Sequence, residues 1–299
     1  MNLIEVFQSF QTQEQAIDYL EGVRWRGKPI CPYCQSEKVC RHASGDRANI
    51  RWQCESCHRS FAVTVGTIFH GTHIPLRNWF LVLGLMLNAK KSASAYQIAR
   101  DLDMRRPTVW SMMHRIRNAM AKDTLQSELL YGIVEADETY IGGKPRKGNK
   151  KGGGGDKPSK RGRGTKKTPV VGIMERGGRV VAKPFDRKEL TGKGLRKFIE
   201  RFVDLDASVL MTDEYPGYYG MSEVVEHATV NHQIEYSNGI VNTNSIEGFW
   251  SLVKRAWYGS HHHYSVRYMG LYISEACFKY NNRRAQVSLE SVLGLLVGA

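Results

Sequence analysis

With 299 residues, 41% of them hydrophobic and 24% charged, the chain is long enough for about two domains and has the composition of a globular rather than a disordered protein. Its longest apolar run, Trp79–Leu87, is nine residues, less than half the ~20 that a membrane-spanning helix needs. The N-terminus lacks the basic start and apolar core of a secretory signal, so a cytoplasmic protein with no membrane partner is expected. Lys and Arg exceed Asp and Glu by 43 to 29, a net charge of +14, which favours an anionic partner such as nucleic acid or a membrane surface.

Residues 1–27 are expected to form an N-terminal helical segment, because Leu3, Val6, Phe7, Phe10, Ala16, Ile17, Leu20 and Val23 recur at helix-like spacing. Residues 28–70 form a Cys-rich module. Cys31-Pro-Tyr-Cys34 and Cys54-Glu-Ser-Cys57 are separated by 19 residues, the spacing of a two-knuckle zinc module. Four thiolates close a tetrahedral shell and leave no open position for chemistry. One structural Zn2+ is therefore expected on Cys31, Cys34, Cys54 and Cys57, with Trp52 and Phe61 packed beside the second pair. A redox dithiol is the other use of a C-x-x-C pair, and a second pair at matched spacing disfavours it. Cys40 and His58 read as bystanders, and Cys277, on a late helix, as a core thiol.

Residues 71–125 return to helical periodicity. SASAYQIARDLDMRRPTVWSMMHRIRNAM reads as two helices around a short turn. Ser94 can cap the first, Leu102 closes it, and Arg105-Arg106-Pro107 breaks the chain before the second. A helix-turn-helix module places its second helix in the DNA major groove. His114, Arg115 and Arg117 would then face phosphates or bases. A plain helical hairpin in a core is the alternative.

Over 130–290 the period changes again. Tyr131–Gly142 is rich in β-formers. PVVGIMERGGRVVAKPF reads as two strands joined at Arg176-Gly177-Gly178, and LTGKGLRKFIERFV as an amphipathic helix. ASVLMTDEYPGYY is an apolar strand ending at Asp213, and ATVNHQ is a further strand. Asn244–Tyr258 and Val266–Arg284 are helical. Three strands followed by mixed strands and helices predict an α/β layered sheet. A Gly-rich insertion at 143–168 interrupts it, carrying 11 Lys or Arg and one Asp, a net of +10 that leaves +4 for the rest of the chain. Its Lys144, Arg146, Lys147, Lys150, Lys151, Lys160, Arg161, Arg163, Lys166 and Lys167 suit an arm on DNA phosphates. A solvated loop is the blander reading.

Three acids stand on the right elements for chemistry. Asp137 lies within a strand, Asp213 at a strand end, and Glu247 on a helix with Lys254 seven residues on. Seven residues are nearly two helical turns, so Glu247 and Lys254 share a face. Two strand-borne aspartates and a helix-borne glutamate offer hard oxygen ligands for a pair of Mg2+ ions in phosphoryl transfer, and a nearby lysine offers a phosphate contact. With 29 acidic residues in the chain, location rather than number lifts these three. Glu135, Glu138, Glu214, Asp204 and Asp206 are their nearest competitors.

CPYC…CESC, VEADETYIGGK, the basic run, VVGIMER, MTDEYPGY, NHQIEYSNG and NSIEGFWSLVKRAWYG…ISEACFKYNNR occur in this order over about residues 25–285. Together they resemble bacterial insertion-sequence transposases that join an N-terminal zinc ribbon to a DDE-type, RNase H-like catalytic domain. The resemblance implies a mixed sheet with flanking helices. Asp137 would lie on its central strand, Asp213 on a neighbour, and Glu247 on a flanking helix with Lys254 as the associated base. It implies two catalytic Mg2+, replaceable by Mn2+, held by Asp137, Asp213 and Glu247. The partners it implies are double-stranded DNA, as terminal inverted repeats and target, and at least a homodimer on that DNA. The expected chemistry is strand cleavage at element ends followed by attack of the 3′-hydroxyl on target DNA. A catalytically inactive DNA-binding regulator and a Mg-dependent RNase H-like nuclease are the alternatives. His261, His262 and His263 have no assigned role and read as an exposed polar turn.

Overall fold

A computed structural model describes residues 3–42, 51–126, 128–142, 165, 167–230, 242–284 and 289–298. They divide into two compact units, one drawn from 1–123 and 282–299, the other from 124–281. Among the described residues no helix is long and apolar enough to cross a membrane.

The first unit opens with α1 (Leu3–Ser9) and α2 (Gln13–Trp25). The helical periodicity runs on through 3–24, but Thr12 interrupts it. Its hydroxyl accepts from the Gln15 amide at 3.3 Å and the Gln15 side chain accepts from the Thr12 amide at 3.0 Å, a reciprocal cap that starts a new helix. The Cys-rich module follows as a three-stranded antiparallel sheet of β1 (Val39–Arg41), β2 (Trp52–Cys54) and β3 (Ser60–Phe61). The sulfurs of Cys31, Cys34, Cys54 and Cys57 all lie within 4.8 Å of one another. Cys57 N–H donates to Cys54 Sγ at 3.5 Å; with the Ser56 amide it holds the Cys54 thiol down at about 6. Amide donors favour the thiolate, which is the form that binds metal. Trp25 meets Trp52 and Phe61 edge-on, at 5.7 and 6.0 Å between ring centres. Cys40 is exposed on β1, and Cys277 is buried on a late helix.

Next come α3 (Leu76–Asn88), α4 (Ala95–Asp101) and α5 (Arg106–Gln126). Ser94 caps α4, accepting from Gln97 N–H at 3.1 Å. The turn into α5 is built on Asp103 at φ 48, with Met104 N–H reaching back to Ala99 O at 2.8 Å. A left-handed residue there lets the chain reverse between the helices.

The second unit is a five-stranded sheet. In chain order it contains β4 (Leu130–Ile141), β5 (Thr168–Glu175), β6 (Val180–Pro184), α6 (Gly192–Phe202), β7 (Val203–Asp213), β8 (Glu226–Val230), α7 (Asn244–Arg255) and α8 (Val266–Asn281). The spatial order is β6-β5-β4-β7-β8. The first three strands form an antiparallel meander, and β7 and β8 run parallel to β4. This is the mixed, RNase H-like sheet that the resemblance implied, with β4 central. Alternation along the strands sorts two cores. Val134, Ala136, Val171, Ile173, Val181 and Leu210 face α6, while Ile141, Val170, Met174, Val180 and Ala182 pack with Ile246, Phe249 and Trp250 of α7 and Ile273 and Cys277 of α8. Between β7 and β8 the chain forms two short 3-10 turns.

The sheet unit ends at Asn281, whereas the sequence reading carried that domain to residue 290. The last helix, α9 (Leu289–Val297), was not anticipated and packs against α2 in the first unit.

Apart from its sulfurs, the Cys module has a small core of Trp25, Val39, Trp52, Phe61 and Val65. With zinc on the four cysteines, its folding energy would be largely the metal's binding energy. Stripping the metal with a strong chelator is expected to release close to one equivalent of zinc per chain, read with a colorimetric indicator, and to change tryptophan emission in step. Cys54→Ser should give both effects without chelator. Zinc release that leaves the emission unchanged would show that this core stands without the metal.

Candidate active site

β4 and β7 run side by side, and Glu135 is in register with Met211. Two residues further on, the same alternation brings Asp137 beside Asp213, the last residue of β7, on the α7 face of the sheet. Carboxylate oxygens of Asp137, Glu138 and Asp213 all lie within 4.8 Å of one another. Glu138 reaches this group from the opposite face, the one that Val134 and Ala136 present to α6. The backbone orients the two aspartates. Asp137 Oδ1 accepts from Glu138 N–H at 2.7 Å, and Asp213 Oδ1 from Tyr215 N–H at 3.0 Å. Asp137 Oδ2 accepts from the Trp250 indole at 3.0 Å. Burial pushes the Asp137 carboxyl up to about 7, and the charges of Glu138 and Asp213 push the same way. An all-oxygen donor set, with Asp137 held back from ionisation where no cation offsets its burial, fits a hard divalent cation such as Mg2+ or Mn2+.

The helix that carries Glu247 is fastened to β4 by a residue with no place in the expected site. At the start of α7, Thr243 makes no side-chain cap. Glu135 supplies one from 110 residues away. Its Oε2 accepts from Ser245 N–H at 2.9 Å and Ile246 N–H at 3.0 Å. Its Oε1 receives Arg176 Nε at 2.8 Å, and Arg176 also donates to the Asn242 carbonyl at 2.8 Å. Glu135 is fully buried, so each of its oxygens needs these donors. Glu247 then lies in the first turn of α7 and Lys254 in the last, both exposed. Glu247 is three residues from Trp250, which touches Asp137, but it is not in the close acidic group that Asp137 and Asp213 form with Glu138.

The other expected site residues divide in two. Lys167 sits just before β5, and its carbonyl accepts from Arg187 at 2.9 Å. Lys144, Arg146, Lys147, Lys150, Lys151, Lys160, Arg161, Arg163 and Lys166 lie outside the described residues. On α5 the expectation needs correction. Arg117 is 1% exposed and His114 is 7% exposed, because they fall on the inward side of α5 with Met113, Ile116 and Met120. Arg115 is half-buried, donates to His70 O at 2.6 Å and lies over the Trp79 ring. Exposed basic groups of this helix pair and its turn are instead Arg100, Arg105, Arg106 and Lys122. His261 ends a π-helical turn, and His262 and His263 are exposed beyond it. The His261 ring packs edge-on against Tyr272 at 4.7 Å.

Two outcomes follow from this geometry. Glu135→Gln keeps the shape but removes the charge facing Arg176 and the helix N-terminus. It is expected to cost about 2–4 kcal/mol of stability, below the full value for a broken buried pair because Arg176 is partly solvated; urea unfolding measures it, and an unchanged midpoint would refute the cap. For Asp137, the unfolded chain loses its proton near pH 3.9 and the folded chain near 7. The folded state therefore holds an extra proton between those values, and stability falls as pH rises through that window. At pH 8 without divalent cation, Asp137→Asn is expected to be more stable than the parent by on the order of a few kcal/mol, read from urea unfolding. Added Mg2+ should stabilise the parent and not the variant.

Residues 129–281, just over half of the chain, match the ISXO2-like transposase domain, and residues 11–60 match the transposase zinc-ribbon domain. An uncharacterised protein in transposable element ISH50 of Halobacterium salinarum is 29% identical over 269 residues, 85% of each chain. Among solved structures, the Mos1 strand transfer complex aligns at 15% identity over 72% of each chain with a TM-score of 0.31. A pre-cleavage Mos1 transpososome aligns at 14% identity over 73% of this chain and 74% of that one, with a TM-score of 0.30. The two domain matches cover the four clustered cysteines and the whole five-stranded sheet with α7 and α8, and this chain belongs to the family of ISXO2-like transposases.

Proposed function

We propose that this transposase cuts DNA strands at the ends of an insertion sequence and joins the exposed 3′-hydroxyl to target DNA. The observation that carries the reading is the convergence of the Asp137 and Asp213 carboxylates, on parallel neighbouring strands, within 4.8 Å of each other. Divalent cations bound there, two Mg2+ with Mn2+ able to substitute, would supply Lewis-acid stabilisation of the attacking and leaving oxygens. Asp137 and Asp213 hold the cations, and Glu247 on α7 completes the set. Lys254, two turns along the same helix, contacts the phosphate of the scissile strand. The direct attack of one oxygen on phosphorus needs no covalent bond to the protein.

DNA recognition divides by chemistry. The zinc ribbon on Cys31, Cys34, Cys54 and Cys57 and the α4–α5 helix pair read the terminal inverted repeats. The basic residues of 143–168 hold the phosphate backbone, giving affinity and position but no sequence choice. Both element ends must be processed together, so a homodimer or larger assembly works on the DNA.

The test is a Mg2+-dependent cleavage and strand-transfer assay on DNA carrying the ends that flank the gene, with Asp137→Asn in parallel. Joined products should form with the parent and fall by at least about a hundredfold in the variant, the equivalent of a few kcal/mol of lost transition-state stabilisation. Binding to the ends without cutting or joining, by parent and variant alike, would move the reading to a DNA-binding regulator. Cutting without joining would move it to a nuclease.

A further inference from the structure

Asp137 has a partner that the acid triad does not include. Its Oδ2 accepts from the indole N–H of Trp250 at 3.0 Å, while its Oδ1 accepts from Glu138 N–H. A carboxylate offers about four lone-pair directions. These two bonds use one on each oxygen, fix the plane of the group, and leave one direction on each oxygen open. The indole is itself held from several sides. Trp250 is 2% exposed and packs in the core that Ile246, Phe249, Val253 and Trp257 share with the sheet. A buried indole N–H is a donor only and must find an acceptor.

The strand beside Asp137 is shaped for this ring. The register partner of Asp137 on β5 is Gly172. A Cβ at that position would meet the six-membered ring of Trp250 at 2.7 Å, closer than real side chains pack. Gly172 therefore leaves the space in which the ring lies, next to the carboxylate that it contacts. Along the helix axis, the bonds from Ser245 and Ile246 N–H to Glu135 set how far α7 slides along β4. Glu135 and Asp137 are two residues apart on one face of the strand, and Ile246 and Trp250 are four apart on one face of the helix. Two attachments at matched spacing fix the helix on the strand.

We propose that Trp250 is a positioning residue of the active site: its indole N–H, in the space left by Gly172, holds the Asp137 carboxylate in the orientation that presents it, with Asp213, to a divalent cation. The inference rests on the metal-dependent reading above. Trp250 touches no reacting group and acts through Asp137. Partners of metal ligands typically change metal affinity by 10- to 100-fold when removed, and an effect near the lower end is expected, because the Glu138 amide still holds Oδ1.

The experiment titrates the full-length, zinc-loaded protein with Mn2+ alone and reads bound metal by electron paramagnetic resonance, with no DNA and no turnover. Parent, Trp250→Phe and Asp137→Asn are compared at one pH, with a thermal melt of each. Trp250→Phe keeps an aromatic side chain in the core and removes the donor together with the outer ring that lies over Gly172, and the melt reports what the lost packing costs. The expected result is about tenfold weaker Mn2+ binding with a cooperative melt retained, and no binding in Asp137→Asn. If Trp250→Phe does not fold, Gly172→Ala carries the same test, since it keeps the donor and displaces the ring. Parent-like affinity in the folded variant, with binding abolished by Asp137→Asn, overturns the positioning role and leaves the metal-dependent reading standing. Absence of Mn2+ binding by the parent overturns both.

Discussion

A fully buried carboxylate has to be answered by donors, and in this protein the answer to Glu135 is the N-terminus of a helix. That one requirement organises the second unit. The charge comes from the central strand β4. The donors come from the first turn of α7 and from Arg176, which sits in the tight turn between β5 and β6. One side chain thus ties a strand, a hairpin and a helix from three separate stretches of chain. The positive end of the helix and the guanidinium both attract the carboxylate, and that contact strengthens as water is excluded. The position of α7 in turn decides where Glu247, Trp250 and Lys254 can stand.

The acidic group next to this cap shows the opposite electrostatics. Asp137, Glu138 and Asp213 bring carboxylate oxygens within 4.8 Å of one another, and the Asp137 carboxyl is held up at about 7 by burial first and by its acidic neighbours second. Nothing in a folding argument favours such a group, because each charge opposes the next. It persists because the sheet register and the Glu138, Tyr215 and Trp250 N–H groups impose it. Two acids on one strand face, two residues apart, therefore have separate fates. Glu135 is matched within the fold and braces it. Asp137 is matched only in part, which leaves it the capacity that the proposed function assigns to a cation.

Much of this was legible in the sequence where the signal was local or periodic. The succession of strands along the chain, the hairpin at Arg176-Gly177-Gly178, the four clustered cysteines, and Asp137 and Asp213 at their places on strands all follow from alternation, turn residues and fixed spacing, while the central place of Asp137's strand came only with the family resemblance. What escaped depends on pairs far apart in the chain. The contact of Glu135 with Ser245 spans 110 residues, and Trp250 reads as one more apolar position on an amphipathic helix until its ring is seen beside Gly172. Arg117 escaped for a different reason. Charge alone suggested a DNA-facing residue, but its place on α5, four residues after Met113, turns it inward. The helical period groups position 117 with Met113 and Met120, which are also buried. The apolar stretch LESVLGLLV was passed over because nothing in it marks a partner, and its partner, α2, lies at the other end of the chain.

The register of the sheet also fixes where the chain's charge is tethered. Ile141 at the end of β4 pairs with Thr168 at the start of β5, so both ends of the intervening basic segment emerge from one point of the sheet. That point is four residues beyond Asp137, about 13 Å along a strand. With +10 of the net +14 lying in 143–168, the electrostatic attraction for a polyanion is attached next to the acids rather than spread over the fold. Carboxylates repel phosphates at close range, and a site built from three of them would by itself drive DNA away. In the proposed function, a dense positive segment anchored on the same strand would offset that repulsion locally, and a cation between the carboxylates would remove it at the reacting phosphate. On that reading the insertion between β4 and β5 and the acids on β4 would act as one device, joined by the strand that Glu135 fastens to α7.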